Sequence, residues 1–504
     1  MLRTQTMKIT LLGLLLSGTA AFAQDDHTVR IVLNEELDVV EPCMAARSDV
    51  GRVILQNVNE TLTEFVPGET ELKPRLATEW SQIDDDTWRI KLRDGVTFHD
   101  GSTLDAADVA FTLNRIKVPE FGCEVGVKYF GDIAFAAETV DNLTVDVTTT
   151  PGSPILPLLL STVPIMPSET PADKFVEKPV GTGPYGFVEW NRGQDIKLKR
   201  NPDYWGEQPQ VEEATYLFRT DPAVAAAMVE ANEADIVPNL SMDQATNSDT
   251  DFSYPNSETT ALRIDTTMAP TDDHRVREAM NLAIDREAFR GTLLPADVQP
   301  ATQMVVPTTI GYNSDLKVWP FDPERAKELI AEAKADGVPV DTPIEIVGRT
   351  GIHPNATEVM EAMMQMLNDV GLNVSLQMYE VGRWNEFFVK PYPDPRPVTL
   401  TQQMHDNAKG DPVFTAFVKY ASEGAHSMLN DPKVDELIKQ ATAASGEERA
   451  KLWQQVFYQV DEVDIADIPM FHMVGFTRVS PRLDFQPTIA TNSELQLSQI
   501  KFKQ

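Results

Sequence analysis

Cysteine and histidine are scarce in this 504-residue sequence, and the few that occur are scattered. There are two cysteines and seven histidines. No two histidines are three or four residues apart, the spacing at which one helix presents two ligands to zinc. Two lone cysteines without a nearby histidine pair do not make a zinc site either. The sequence therefore predicts neither a metal nor any other cofactor.

Motifs of catalysis are lacking as well. The sequence contains neither a G-x-S-x-G elbow nor S-x-x-K followed by K-T-G. The G-x-G-x-x-G segment 181–186 contains Pro184 and precedes an alternating segment, so we interpret it as a turn and not as a dinucleotide site. His99 lies in a turn beside Asp100 and suits a structural hydrogen bond. An enzyme is not favoured, and an exported hydrolase is kept as an alternative.

Long hydrophobic runs are also missing beyond the N-terminus. No later run approaches the ~20 apolar residues that a membrane helix needs. The short run Ile9–Leu16 follows Arg3 and Lys8 and precedes Ala21-Phe22-Ala23, the pattern of a secretory signal peptide cleaved near Ala23. No cysteine stands at the cleavage site. We therefore predict an exported protein without direct membrane insertion.

Basic residues are few relative to acidic ones. The chain has 43 Lys and Arg against 77 Asp and Glu, and loss of Arg3 and Lys8 with the signal peptide leaves 41, a formal charge of −36. Such a surface argues against nucleic acids and anionic membranes as partners. In an oxidising compartment, Cys43 and Cys123 are candidates for a disulfide, with two free thiols as the alternative.

What the sequence does contain is regular alternation between strand and helix patterns. Thr28–Leu33 and Trp88–Leu92 alternate as half-buried strands do. Asp94-Gly95 is a tight-turn signal, and a helix is predicted to open at Asp105. Asp221 precedes Pro222 as a predicted helix N-cap.

In the second half, amphipathic helices alternate with strands. We predict one helix over Arg275–Leu293, another from Pro323 until Gly337 ends it, and a third from Pro432. A helix over Asn355–Asp369 is predicted to begin with a capping box of Asn355 and Glu358. This alternation predicts an α/β sheet.

Five blocks of sequence together resemble the family 5 extracytoplasmic solute-binding proteins, the dipeptide, oligopeptide and nickel receptors of ABC importers. They follow one another in the order and at the spacing of that family. The blocks are LKPRLATEW from Leu72, KLRDGVTFHDGSTLDAADVAFTL from Lys91, VGTGPY from Val180, NPDYW from Asn201 and VREAMNLAIDR from Val276. The resemblance implies an α/β, two-lobed periplasmic-binding-protein fold, type II-like and of cluster C, with an extra inserted domain.

The resemblance also implies a division of the chain. A signal peptide over 1–23 would precede domain I, assembled from 24–62, 180–264 and 471–504. Domain II would be inserted over 63–179, and domain III over 265–470 would form the second lobe. The chain would cross between lobes near Ala261–Asp265 and Ile468–Gly475, and the ligand would be enclosed by hinge closure.

The resemblance also implies candidate ligand-binding residues. In peptide-binding members an aspartate of domain III accepts the ligand's α-amino group, a charge-assisted contact that Asp406 or Asp411 could make here. This segment departs from the family pattern at Val413, and a loop cap is the alternative role. Arg383 and Trp384 follow a predicted strand end, where the arginine could bind a ligand carboxylate or phosphate and the tryptophan could face the cleft. The alternative for Trp384 is a buried position in the core. The other predicted ligand-binding residues are Glu36, Asn407, Met304 and Tyr312.

The function implied is that of a binding protein and not of an enzyme. It would act in the periplasm as a monomer that captures a small solute, peptide or peptide-like, and delivers it to the permease subunits of an ABC importer. A chaperone-like or signalling receptor on the same fold is the other alternative. The sequence leaves the ligand open among peptides, opines, sugars and metal chelates.

Overall fold

The structure, a computed structural model, describes residues 27–47, 49–66, 72–118, 121–130, 133–407, 410–444, 446–491 and 494–503. The predicted signal peptide and its cleavage site lie outside these residues. Within them, no helix is long and apolar enough to cross a membrane.

The strands, in chain order, are β1 Thr28–Leu33, β2 Thr63–Glu64, β3 Lys73–Pro74, β4 Ala77–Gln82, β5 Thr87–Leu92, β6 Ala134–Asp141, β7 Thr144–Thr150, β8 Tyr185–Asn191, β9 Asp195–Arg200, β10 Glu213–Phe218, β11 Ile236–Val237, β12 Asp251–Ile264, β13 Gln299–Pro300, β14 Ile344–Arg349, β15 Val374–Tyr379, β16 Val398–Asp406, β17 Asp467–Val479, β18 Leu483–Asp484 and β19 Lys501–Phe502. The helices are α1 Asp49–Leu55, α2 Ala106–Arg115, α3 Leu156–Leu159, α4 Pro222–Glu230, α5 His274–Leu282, α6 Pro323–Ala335, α7 Ala356–Asp369, α8 Val381–Phe388, α9 Val413–Tyr420, α10 Pro432–Ala443 and α11 Gly446–Tyr458.

One large sheet runs through both halves of the molecule, in the order β15-β14-β16-β12-β17-β11-β1-β10-β9-β8, with β13 beside β17. We call the half of the molecule that contains β1–β11 the first lobe and the half that contains β13–β16 the second lobe. The long antiparallel strands β12 and β17 connect them, since β12 also pairs with β16 and β17 with β11. The predicted lobe crossings fall on these two strands.

A separate antiparallel sheet, β4-β5-β7-β6, lies within the stretch predicted as the inserted domain. Its strands pack against α2 and enclose a core of their own that includes Ile90, Val109 and Val147. The domain boundaries themselves stay a prediction.

Three of the five sequence blocks that resemble the family contact one buried carboxylate. Glu60 is fully buried. Its oxygens accept hydrogen bonds, at 2.8 to 3.2 Å, from Arg75, Thr182, Tyr204 and Trp205. Since a buried charge is tolerated only when it is paired and hydrogen-bonded, this carboxylate explains why these blocks occur together. The blocks maintain the scaffold.

The G-x-G-x-x-G segment is a close-packed turn, as predicted. A Cβ at Gly181 would lie 2.0 Å from the carbonyl oxygen of Val58, so only glycine fits there. The predicted structural role of His99 is confirmed: its Nε2 is 2.9 Å from the carbonyl oxygen of Gly183, and its Nδ1 accepts from the backbone N–H of Gly181.

Local helix signals are confirmed where an acidic N-cap occurs. The side chains of Asp105, Asp221, Asp322 and Asp431 each accept a hydrogen bond from a backbone N–H of the first turn of α2, α4, α6 and α10. These interactions lie within four residues of chain, which is why the sequence alone predicts them.

Two helix predictions are wrong. The helix expected over Arg275–Leu293 ends at Leu282, and a separate turn follows at Arg286–Phe289. The buried guanidinium of Arg286 donates a hydrogen bond to the carbonyl oxygen of Asn281 at 3.3 Å. In a continuous helix this oxygen would accept a hydrogen bond from a backbone N–H of the next turn. The capping box is also absent: Asn355 is left-handed, at φ 56°, and its amide donates to the carbonyl oxygen of Leu293.

Candidate functional site

The second lobe brings the carboxyl ends of three parallel strands to one edge. β14 is parallel to both β15 and β16, and the strands end at Arg349, Tyr379 and Asp406. All three side chains are half-buried. In open α/β sheets, ligands bind outside the carboxyl ends of the strands. This edge is therefore the candidate ligand site.

Asp406 connects the two lobes at this edge. Its carboxylate accepts a hydrogen bond from Nη2 of Arg52 at 2.9 Å and another from the hydroxyl of Ser257. Arg52 belongs to α1 of the first lobe and is nearly buried, whereas the side chain of Asp406 is 29% exposed. A solute bound at this edge would contact both lobes.

Asn407 follows Asp406 in the chain and contacts Met304. The side-chain amide of Asn407 donates to the carbonyl oxygens of Ser257 and Met304, each at 3.1 Å. Both side chains are buried, so they hold the segment in place. Tyr312, farther along the same loop as Met304, is half-buried, with its ring 6.2 Å from that of His472.

Asp411 has an ionic partner inside the second lobe. Its two carboxylate oxygens accept from Nη2 and Nε of Arg449 at 2.8 and 3.1 Å, and the pair is almost completely buried. The carboxylate also accepts from the backbone N–H of Val413. Asp411 therefore caps the loop, the role given above as the alternative to ligand binding, and it also forms an ion pair.

Trp384 and Arg383 lie on α8. Trp384 is 4% exposed, and its Nε1 donates to the carbonyl oxygen of Gln402 at 3.0 Å. Its ring stacks on Phe388, with centroids 4.1 Å apart, which is the position of a core tryptophan. Arg383 is half exposed and pairs with Glu386 one turn along.

Glu36 makes its contacts within the first lobe. Its carboxylate accepts from Nε1 of Trp190 at 2.8 Å and from the backbone N–H of Gly193 at 2.9 Å. Both donors belong to the β8–β9 hairpin. The structure does not bring Glu36 together with Asp406 through any hydrogen bond among the described residues.

Sequence reasoning missed Arg349, at the end of β14. Its guanidinium lies 5.4 Å from the ring centroid of Trp384. Within the described part of the chain, no carboxylate or carbonyl oxygen accepts a hydrogen bond from this guanidinium, and its Nε is buried without a partner. Desolvation lowers the pKa of Arg349. In a chain with so large an acidic excess, a half-buried arginine without an anionic partner is ready to bind one.

A neighbouring amide and imidazole complete this edge. Oε1 of Gln402 accepts from the backbone N–H of Arg349 at 2.9 Å, and Nε2 of Gln402 lies 3.3 Å from Nε2 of His353. Burial lowers the pKa of His353, so its ring is neutral at pH 7 and can accept from that amide.

The first lobe faces this edge with a wall of mixed polar and apolar side chains that a disulfide supports. A small pocket is lined by Arg52, Gln56 and Tyr129, among others. The ring of Tyr129 contacts that of Phe414 in the second lobe, with centroids 5.3 Å apart. A disulfide between Cys43 and Cys123 joins the two segments that form this wall.

Known proteins resemble this chain along most of its length. The family model of bacterial extracellular solute-binding proteins, family 5, matches residues 71–417, more than half of the chain. The chain is 25% identical to di/tripeptide-binding protein 2 of Pseudomonas aeruginosa (strain UCBPP-PA14), over 93% of this chain and 94% of that protein. It is 29% identical to the glutathione-binding protein GsiB of Escherichia coli (strain K12), over 73% of this chain and 72% of that protein.

The fold agrees with solved structures of the same class. The crystal structure of the ABC transporter substrate-binding protein CtaP from Listeria monocytogenes superposes with a TM-score of 0.78 at 21% identity, covering 94% of this chain and 99% of that one. The predicted α/β periplasmic-binding-protein fold is therefore confirmed. The relatives are binding proteins, which also confirms the prediction that the chain is not an enzyme.

Proposed function

This chain belongs to family 5 of the bacterial extracellular solute-binding proteins, and we propose that it captures a peptide or peptide-like solute between its lobes and delivers it to an ABC permease. Members of this family act outside the cytoplasm. We further propose that the protein works in the periplasm as a monomer, after cleavage near Ala23. Two similar proteins, named for di- and tripeptides and for glutathione, support a ligand of this class.

The observation that carries the proposal is the guanidinium of Arg349. It stands half-buried at the carboxyl edge of β14, and no anion of the described chain pairs with it. A guanidinium binds a carboxylate through two parallel hydrogen bonds, a geometry that ammonium groups do not offer. The terminal carboxylate of a peptide supplies such an anion.

The amino end of a peptide has a second candidate partner at the same edge. Asp406 is paired with Arg52 across the lobes, so a ligand ammonium group would compete with this arginine for the carboxylate. Recognition by Arg349 meets no such competition. We therefore assign the carboxylate contact to Arg349 and a secondary role to Asp406, and we keep Asn407 and Met304 as its supports.

Function then follows from differential binding. A solute that touches Arg349 in the second lobe and Arg52 or Tyr129 in the first favours the closed arrangement over the open one. The closed population rises only as far as the ligand's affinity for the two states differs. The permease would read this closed surface.

The test compares Arg349→Ala with Arg325→Ala, an exposed arginine on α6 whose loss leaves the edge intact. Calorimetry would use Ala-Ala-Ala and its C-terminal amide. Wild type and Arg325→Ala should bind the free acid ten- to a hundredfold more tightly than the amide, the range of a charged hydrogen bond worth about 1.5–3 kcal/mol. Arg349→Ala should lose this discrimination. Undiminished discrimination in Arg349→Ala would refute the assignment.

Delivery to a permease needs a measurement in cells. Deletion of the gene should abolish uptake of labelled tri-alanine, and the wild-type gene should restore it while the Arg349→Ala gene does not. Normal uptake in the deletion strain would argue for the signalling alternative.

A further inference from the structure

We propose that a second cavity between the lobes is an apolar subsite that takes a bulky aliphatic or aromatic side chain of the same solute; this inference rests on the proposed function. The cavity has a volume of about 600 Å³ and is lined by both lobes. That volume is within the range of roughly 300–1,000 Å³ found for small-molecule sites. None of the residues predicted from the sequence, apart from Asp411, lines it.

The first-lobe wall is aromatic. Trp80 on β4 lies opposite Ile90, and Trp88 on β5 lies opposite Gln82. The two indoles are therefore diagonal neighbours on one face of the sheet, within reach of one bound group. Nε1 of Trp88 donates to the carbonyl oxygen of Ser153 at 3.0 Å, so the polar atom of this ring is already used. Phe65, Ile155 and Leu158 extend the wall.

The second-lobe wall offers little to a polar ligand. It consists of Ile310, Ala444, Gly446 and Ala450 beside the Asp411–Arg449 pair, together with Glu447, whose side chain is 95% exposed. Every nitrogen of the Arg449 guanidinium has an oxygen partner: Nε and Nη2 donate to Asp411, and Nη1 donates to backbone carbonyls of α10. Apart from the solvent-exposed carboxylate of Glu447, this wall offers a polar group no partner in exchange for the water it loses, whereas an apolar group gains from its removal from water.

The cavity is within reach of a solute held at the carboxyl edge. Asp411 follows Asp406 by five residues, and five residues of fully extended chain span at most about 18 Å. A peptide that lies along this edge with its amino end at Asp406 can therefore direct a side chain toward the cavity. Because the cavity belongs to both lobes, filling it would favour closure further.

The test fills the cavity from the second lobe. Ala444→Trp places a large ring at the lining, and Ala443→Trp, on the exposed neighbouring residue, is the matched control. Calorimetry would use Leu-Leu-Leu and Ala-Ala-Ala as probes. Wild type and Ala443→Trp should prefer Leu-Leu-Leu by about tenfold or more, the discrimination typical of apolar pockets. Ala444→Trp should bring the preference close to one and leave the affinity for Ala-Ala-Ala unchanged.

The outcomes separate this inference from the proposed function. If wild type binds both peptides equally, or if Ala444→Trp keeps the full preference, the apolar subsite is refuted and the peptide function stands. If neither peptide binds, the peptide function fails, and 1-naphthol in saturation-transfer NMR becomes the probe. A naphthol signal lost in Ala444→Trp and kept in Ala443→Trp would support the apolar site, and no signal in wild type would refute it.

Discussion

The buried pair of Asp411 and Arg449 gives the sharpest prediction about stability, because sequence reasoning proposed Asp411 as a ligand-binding residue. The side chains are 2% and 7% exposed and share two hydrogen bonds. Asp411→Ala would leave Nε and Nη2 of a buried guanidinium without an acceptor, while Nη1 keeps its carbonyl partners. Breaking one partner of such a pair costs about 3–5 kcal/mol.

Urea unfolding followed by circular dichroism measures this loss. With a slope of about 3 kcal/mol/M, the midpoint should fall by roughly 1 to 1.7 M. Asp484→Ala, at an exposed position, should shift it little. The double variant Asp411→Ala/Arg449→Met should be more stable than the sum of the single losses predicts, since the uncompensated charge is gone. An unchanged midpoint for Asp411→Ala, together with loss of ligand affinity, would refute the structural role.

Three further predictions concern other parts of the molecule. Replacing Cys43 and Cys123 by serine should cost about 4 kcal/mol, from the chain entropy of an 80-residue separation; equal urea midpoints would contradict this. Burial lowers the pKa of His472 to about 4, so the contribution of its neutral ring to stability should be lost as pH falls from about 6.5 to 4. His472→Gln should flatten that part of the pH–stability profile. Trp384→Ala should destabilise by about 3–5 kcal/mol, and a change below 1 kcal/mol in urea unfolding would contradict its core position.

The parts of the fold that the sequence predicted are those decided by nearby residues. An aspartate followed by proline starts α4, α6 and α10, because cap and backbone N–H lie within one turn. The family blocks indicated the class of fold for a related reason, since three of them are tied to the single carboxylate of Glu60. The capping box predicted at Asn355 is wrong because the amide of this side chain donates to the carbonyl oxygen of Leu293, 62 residues earlier in the chain.

The site was less predictable because partners distant in sequence decide each role. Asp406 and Asp411 are alike in local pattern. Asp406 nevertheless pairs with Arg52 of the first lobe, whereas Asp411 pairs with Arg449 within the second lobe. Arg349 was missed since the lack of an anionic partner is a property of the tertiary structure. An arginine at a strand end in so acidic a chain was the one signal that could have singled it out.

The central claim is that Arg349 holds the carboxylate of a captured solute between the lobes. Native mass spectrometry of the protein purified from its own cells tests it most directly, with wild type and Arg349→Ala prepared side by side. We predict that wild type carries a small peptide or peptide-like acid and that Arg349→Ala has lost it. A bound species without an acidic group, or the same solute equally retained by Arg349→Ala, would contradict the claim.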